Sequence, residues 1–330
     1  MASAPAPASA SDASGASAAS TLRATVLVPS YRRPDELRRC LDALCAQDTP
    51  AAQVVIIARA EDVATHAAAR AFIPRLALEL VLVRAPGLAH AMNAGLDAAR
   101  GDIVAVTDDD ALPHADWLTR ILAHYAANPA VGGVGGRDRV HEGGLPAPDG
   151  TRQLVGRVQW FGRIVGNHDL GIGGARAVDI LKGVNMSYRR SALGDLRVDE
   201  RLRGSGAQVS NELSLCLPLR ARGWTLIYDP RILVDHYPAA RASDDPRGSY
   251  NCEATSNAAY NLLWLTQLHL RGWRRLATRA WLTAVGTPDI PGFVNFVRLA
   301  LRRAPNCRAR FAASRAGREA AIEALRASAH

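Results

Sequence analysis

The chain has 330 residues, of which 48% are hydrophobic, 5% aromatic and 22% charged, with a formal net charge of +9. That length holds one large core or two modest ones without disulfide staples, and the composition is that of a globular protein. It contains no uninterrupted apolar run of about 18 residues, so no membrane-spanning helix is expected. The five cysteines (Cys40, Cys45, Cys216, Cys252, Cys307) show no Cys-x-x-Cys or metal-type spacing, which favours a reducing, cytoplasmic setting. The positive surplus favours an anionic partner, and nucleic acid, an anionic lipid surface or a nucleotide-linked substrate all qualify. Lys182 is the only lysine, a skew toward Arg that reflects genome composition more than function.

In chain order, "MASAPAPASASDASGASAAS" lacks a basic n-region and an apolar h-region, so residues 1–22 read as a disordered tail. "ATVLVP" (24–29) is a β-rich run. In "PDELRRCLDALCA" (34–46), Leu37, Leu41 and Leu44 recur at helical spacing. "QVVIIA" (53–58) predicts a second strand, followed by a helix to about Phe72. "ALELVLV" (77–83), "GLAHAMNAGLDAA" (87–99) and "DIVAVT" (102–107) predict strand, helix and strand. Strand–helix alternation predicts a mainly parallel central sheet flanked by helices, with ligands beyond the carboxyl ends of the strands.

At such an end stand Asp108, Asp109 and Asp110. Carboxylates this close raise their own protonation tendency unless a cation or hydrogen-bond donors compensate. Hard oxygen ligands on one loop suit Mg2+ or Mn2+, which commonly bridge protein carboxylates and substrate phosphates. A lone Asp here would read as a turn or a cap for the helix in "ADWLTRILAHYA".

Four segments, in order, resemble the inverting family 2 glycosyltransferases of GT-A fold: "VLVPSYRRPDELRRCLDAL", "GLAHAMNAGLDAARGDIVAVTDDDALPHADWL", "LKGVNMSYRRSAL" and "DERLRGSGAQVSNELSLCLPLRARGW". The resemblance covers about 23–240 and implies a nucleotide-sugar donor. It implies that Pro29, Ser30, Tyr31 and Arg33 line the nucleotide pocket and that Asn93 lies in a donor-contacting segment. Asp108 would serve ribose and metal, Asp110 the metal, and Asp109 would support both. Gly183, Asn185 and Met186 fall in the acceptor-side segment. Relatives carry Glu-Asp where this chain has Asn211-Glu212, which puts Glu212 in the position of the base, and they place a His at His236 that can complete the metal site. After the second strand, where many relatives carry an acidic residue that reads the nucleobase of the donor, this chain has Arg59 ahead of Glu61 and Asp62.

The Gly-rich stretches between 137 and 178 read as mobile loops that can order over bound donor, with Trp160 and His168 as acceptor-side candidates. The expected organisation is a catalytic domain at 23–240, divided into a nucleotide-binding half (23–130) and an acceptor half (131–240), with a C-terminal helical region at 241–330. "NLLWLTQLHLRGWRRLATRAWLTAV" (261–285) reads either as a basic amphipathic segment on an anionic membrane or as a helix packed on the catalytic domain.

The expected activity is metal-dependent transfer of a sugar to a glycan, lipid-linked or small-molecule hydroxyl, with no nucleic-acid partner. The alternative is a non-catalytic sugar-nucleotide or basic surface-binding protein of the same fold. A haloacid-dehalogenase-type phosphatase would carry its Asp-x-Asp after the first strand, and a dinucleotide oxidoreductase would carry Gly-x-Gly-x-x-Gly there; "VPSYRRP" has neither.

Overall fold

The computed structural model describes residues 22–142, 145, 148–238 and 250–328. Apart from Leu22, the tail expected at 1–22 lies outside these residues, as does the boundary expected at 240. Strands β1 (Ala24–Ser30), β2 (Gln53–Arg59), β3 (Leu78–Val83) and β4 (Ile103–Val106) alternate with helices α1 (Pro34–Cys45), α2 (Val63–Arg70) and α3 (Leu88–Ala98). β1, β2 and β4 are almost wholly buried because layers pack on both faces of the sheet, which is why they read as continuous apolar runs. α1 opens on Pro34 with Asp35 and Glu36 in its first turn, where they complement the free N–H groups, and it buries Leu37, Cys40, Leu41 and Leu44.

The chain continues through β5 (Ala111–Pro113), α4 (Trp117–Ala127), β6 (Val131–Val140), the hairpin strands β7 (Arg157–Val158) and β8 (Ile164–Val165), β9 (Arg176–Val178), β10 (Met186–Arg189), α5 (Arg190–Leu193), α6 (Leu213–Ala221) and β11 (Thr225–His236). Among the described residues the main sheet runs β3-β2-β1-β4-β10-β6-β11-β5, with β9 also on β11. From β3 to β4 every pairing is parallel, as the alternation requires. Beyond β4 the sheet is mixed. β10 is antiparallel to β4 and β6, and β11 is parallel to β6 but antiparallel to β5 and β9. Apolar runs mark strands without giving their direction, and the regular strand–helix alternation that enforces parallel pairing breaks down here: β4 runs into β5, and β6 into β7–β10, with no helix between them among the described residues.

Helices α7 (Cys252–His269), α8 (Trp273–Ala284), α9 (Phe293–Leu301) and α10 (Cys307–Ala327) follow. α7 shares the core on one sheet face: Leu263, Trp264 and Leu265 are buried with Tyr188, Leu215 and Leu226. The other face packs α1 and α4 through Leu37, Leu41, Trp117 and Ile121. No helix among the described residues is long and apolar enough to cross a membrane.

Candidate functional site

A cleft of about 300 Å³ opens at the carboxyl ends of β1, β2 and β4. Its walls are Pro29 and Ser30 at the end of β1 with Tyr31 and Arg33 just beyond, Ile57 and Arg59 from β2, Val83 at the end of β3, Pro86, Gly87, Leu88 and Ala91 around the start of α3, Asp108–Asp110 after β4, and Ser205–Ala207. Arg32 and Arg59 both hold their guanidinium groups over the Tyr31 ring, at 5.0 and 5.5 Å from its centre.

The three aspartates divide into two roles. Asp109 is buried and turns inward: its carboxylate accepts from Ser30 Oγ at 2.8 Å and from Arg33 Nη1 at 2.9 Å. Burial pushes the Asp109 carboxyl up to about 7 against the opposing pull of Arg33. Burial in turn lowers the Arg33 guanidinium, but Asp109 and Asp110 outweigh it and hold it above its ordinary value. Asp108 and Asp110 face His236 instead, and the three can present ligand atoms all within 4.8 Å of one another.

The fold explains that meeting. β4 ends at Val106, the chain turns at Asp109–Asp110 into β5, and β5 pairs antiparallel with the end of β11 so that His236 stands opposite Ala111. The peptide N–H of Tyr237 then donates to the Asp110 carbonyl at 2.9 Å, and His236 Nε2 lies 3.3 Å from Asp110 Oδ1. His236 is buried, yet neither ring nitrogen has a hydrogen-bond partner. Buried polar atoms are rarely left so, and a bound ion is one of the few arrangements that satisfies them. Two carboxylates and an imidazole fit a divalent cation such as Mn2+ or Mg2+.

The segment 203–211 closes the cleft opposite β1. Gln208 holds it there, accepting from Ala89 N at 2.7 Å and donating to Leu202 O at 2.7 Å, while Leu88 N donates to Gly206 O at 3.1 Å. The contact depends on Gly87, whose φ is +104° and where a Cβ would lie 2.7 Å from Gln208 Oε1.

Glu212 stands at the N-cap of α6 and is half-buried, though it is not part of the cleft wall. Burial raises its carboxyl above the ordinary value, opposed by the Lys182 ammonium. Cys216 Sγ of α6 accepts from Leu181 N at 3.4 Å, which ties the Lys182 segment to this helix. Lys182 in turn bonds Asp138, a fully buried carboxylate on β6.

Of the residues expected to contact the donor, Pro29, Ser30, Tyr31, Arg33, Asp108 and Asp109 line the cleft and Asn93 does not. The Asn93 amide is spent on Val198 N, Val198 O and Glu200 Oε1, so it clasps the 198–200 segment. On the acceptor side, Asn185 is an interior strut: Oδ1 accepts from Trp117 Nε1 at 2.9 Å and Nδ2 donates to Ile232 O at 3.0 Å. Met186 is in the core, and its sulfur accepts from Tyr188 OH. His168 is buried against Tyr228 with Nε2 3.1 Å from Ile180 O, and burial lowers its pKa. Gly183 faces open space, and Trp160 is exposed beside Trp273.

Sequence reasoning did not place Ser205–Ala207 in the cleft, nor pair Asp138 with Lys182. The first was signalled by "RGSG" before the expected catalytic helix, and the second by the lone lysine of the chain.

A mixed sheet flanked by helices, with its cleft and aspartates at the strand ends, is the architecture of GT-A glycosyltransferases. The mannosyltransferase PcManGT from Pyrobaculum calidifontis, solved with GDP-Man and Mn2+, shares this fold: the TM-score is 0.54 at 21% identity, over 92% of this chain and 87% of that one. The family model for glycosyl transferase family 2 matches residues 25–197, and the chain belongs to that family. It is 34% identical over 130 residues to the succinoglycan biosynthesis protein ExoM of Rhizobium meliloti, covering 37% of this chain and 41% of that protein. It is 26% identical over 156 residues to the glucosyl-dolichyl phosphate glucuronosyltransferase of Haloferax volcanii, covering 46% and 47%. The chain thus spans less than half the length of both relatives.

Proposed function

We propose that this chain is a metal-dependent, inverting glycosyltransferase that moves a sugar from a nucleotide-diphosphate donor to a hydroxyl of a glycan, lipid-linked or small-molecule acceptor. The observation that carries this reading is the convergence of Asp108, Asp110 and His236 at a cleft walled by Tyr31, Arg33 and Arg59. The ligands named for the structural neighbour, GDP-Man and Mn2+, and the glucuronosyl transfer named for the Haloferax relative support it.

In this reading Tyr31, Arg33 and Arg59 hold the nucleotide, and Asp108, Asp110 and His236 hold Mn2+ or Mg2+. The ion, when bound, supplies Lewis-acid neutralisation of the charge that develops on the departing diphosphate. Asp109 fixes Arg33 beside that charge. Glu212 takes the proton from the acceptor hydroxyl as its oxygen attacks the anomeric carbon from the face opposite the leaving group. Its elevated carboxyl suits proton acceptance near neutral pH better than an ordinary glutamate would. Residues 23–130 serve mainly the nucleotide, joined by Ser205–Ala207 and His236, and the rest of 131–240 serves the acceptor, with Trp160 and Gly183 on that side and the buried His168 packed behind it. The free cysteines suit a cytoplasmic setting.

Thermal shift against a panel of nucleoside diphosphates tests the reading. At least one should raise the melting temperature with Mn2+ present and not with a chelator, since ligand binding stabilises by mass action. A flat panel would refute donor binding.

A further inference from the structure

α9 packs one side inward, where Phe296 stacks on Phe311 of α10 at 4.7 Å, yet none of its residues is buried. Phe293, Val294, Val297 and Leu301 are exposed by 61%, 53%, 38% and 80%. At ~100° per residue these four share one arc of about 100°. A helix on a water-facing surface normally turns polar residues outward; this one turns large apolar residues outward, with exposed Arg298 and Arg302 beside the arc.

α8 repeats the arrangement. Trp273 and Leu276 are exposed by 61% and 70%, and the exposed arginines Arg275 and Arg279 border them. The two helices form one unit: Gly292 N donates to Val285 O at 3.0 Å, and Asn295 Nδ2 donates to Val285 O and Gly286 O. Residues 250–330 hold twelve arginines against four carboxylates, a surplus of +8 within a chain whose total is +9. The positive charge of the protein is therefore concentrated in the region that exposes the apolar arcs.

We propose that the outer faces of α8 and α9 dock the protein on an anionic lipid bilayer. Such a surface offers apolar depth for Phe293, Leu301, Trp273 and Leu276 and lipid phosphates for the flanking arginines, which is the pairing that interfacial helices use. The face extends well past the Arg and Trp segment visible in the sequence, because α9 supplies four of its six exposed apolar side chains.

The docking face is bolted to the acceptor half. Arg274 Nη2 reaches the Val158 and Gln159 carbonyls at 3.4 Å each, Trp160 lies 5.5 Å from Trp273 and Phe161 5.6 Å from Trp281. Gly162 packs so closely on Thr278 that no Cβ fits there. The bilayer thus meets the protein beside the 157–162 loop, which favours a lipid-linked acceptor. That last step rests on the transferase reading; the docking itself does not.

Co-sedimentation of the full chain with phosphatidylcholine vesicles, with and without phosphatidylglycerol, tests the proposal. The protein should bind the anionic vesicles at low salt and leave them at high salt, and Val297→Glu with Leu301→Glu should weaken binding by about tenfold or more. Both side chains are exposed, and unchanged nucleotide-induced thermal shifts in the variant would show that the fold and the donor cleft are intact. Absence of binding, equal binding to neutral vesicles, or wild-type binding by the double variant would overturn the proposal. So would concentration-dependent self-association of the wild type that the double variant abolishes while vesicles capture neither protein, because a second copy would then be the occupant. Loss of nucleotide binding with vesicle binding retained would instead count against the transferase reading alone.

Discussion

Asp110→Asn separates a metal site from a structural cluster. The substitution keeps the size of a side chain that lies 3.3 Å from His236 Nε2 and 3.4 Å from Arg33 Nη1, and removes only its charge. Without metal the variant should be no less stable than wild type: one of three adjacent negative charges is gone, while Arg33 keeps Asp109 at 2.9 Å. With metal the two should diverge. At a Mn2+ concentration about 100 times Kd, binding adds about 2.7 kcal/mol of stability; if Kd weakens about 100-fold, the same concentration adds only about 0.4 kcal/mol. A factor of that size is reached by losing even an outer partner of a metal ligand. The difference of roughly 2 kcal/mol corresponds to about 5 °C of lost Mn2+-induced shift, and transfer should fall by about 100-fold or more. A thermal melt across a Mn2+ series, run beside turnover, reads both. If Asp110→Asn keeps the full shift and full turnover, the triad of Asp108, Asp110 and His236 is not a metal site.

Glu212→Gln should lower kcat by roughly 100-fold to 10,000-fold with donor affinity nearly unchanged, as loss of a general base does. Because burial holds the Glu212 carboxyl above its ordinary value, wild-type kcat should be present above that raised pKa and disappear as pH falls through it. Lys182→Met should move this acid limb upward, and a profile unmoved by either variant would remove Glu212 from the chemistry. Gly87→Ala forces a strained φ and a clash with Gln208, at a cost of about 1–3 kcal/mol, and should weaken donor binding by on the order of tenfold in calorimetry. Asn185→Leu leaves the Trp117 Nε1–H and the Ile232 carbonyl unpaired at about 1–3 kcal/mol each, so the urea midpoint should drop. Activity per folded molecule should hold, and a selective loss of activity would return Asn185 to the acceptor site.

Much of the N-terminal, strand–helix part of the fold was legible because local chemistry decides it. Leu37, Leu41 and Leu44 announce a helix, and the buried runs of β1, β2 and β4 announce parallel strands between helical layers. Asp108–Asp110 announced themselves by repulsion, and their position after a buried strand put them at a cleft. The division of labour among them was not legible, since it takes the β5–β11 pairing to bring His236 to Asp110, while Arg33 reaches both Asp109 and Asp110. Asn93, Asn185 and Met186 show the opposite failure. They lie in segments that resemble acceptor or donor motifs, but their side chains point into the scaffold, a distinction set by strand and helix facing rather than by motif membership. The mixed second half of the sheet was hidden for a related reason, because three- and four-residue strands such as β9 and β10 carry too little period to give direction.

The most direct test of the central claim is nucleotide release from a panel of nucleotide sugars, assayed by chromatography with Mn2+ and with chelator, for wild type and Asp110→Asn. Wild type with Mn2+ should release nucleoside diphosphate from at least one donor, and both the chelator and the substitution should suppress that release. A panel in which no donor is consumed or bound, or in which consumption is unaffected by chelator and by Asp110→Asn alike, would contradict it.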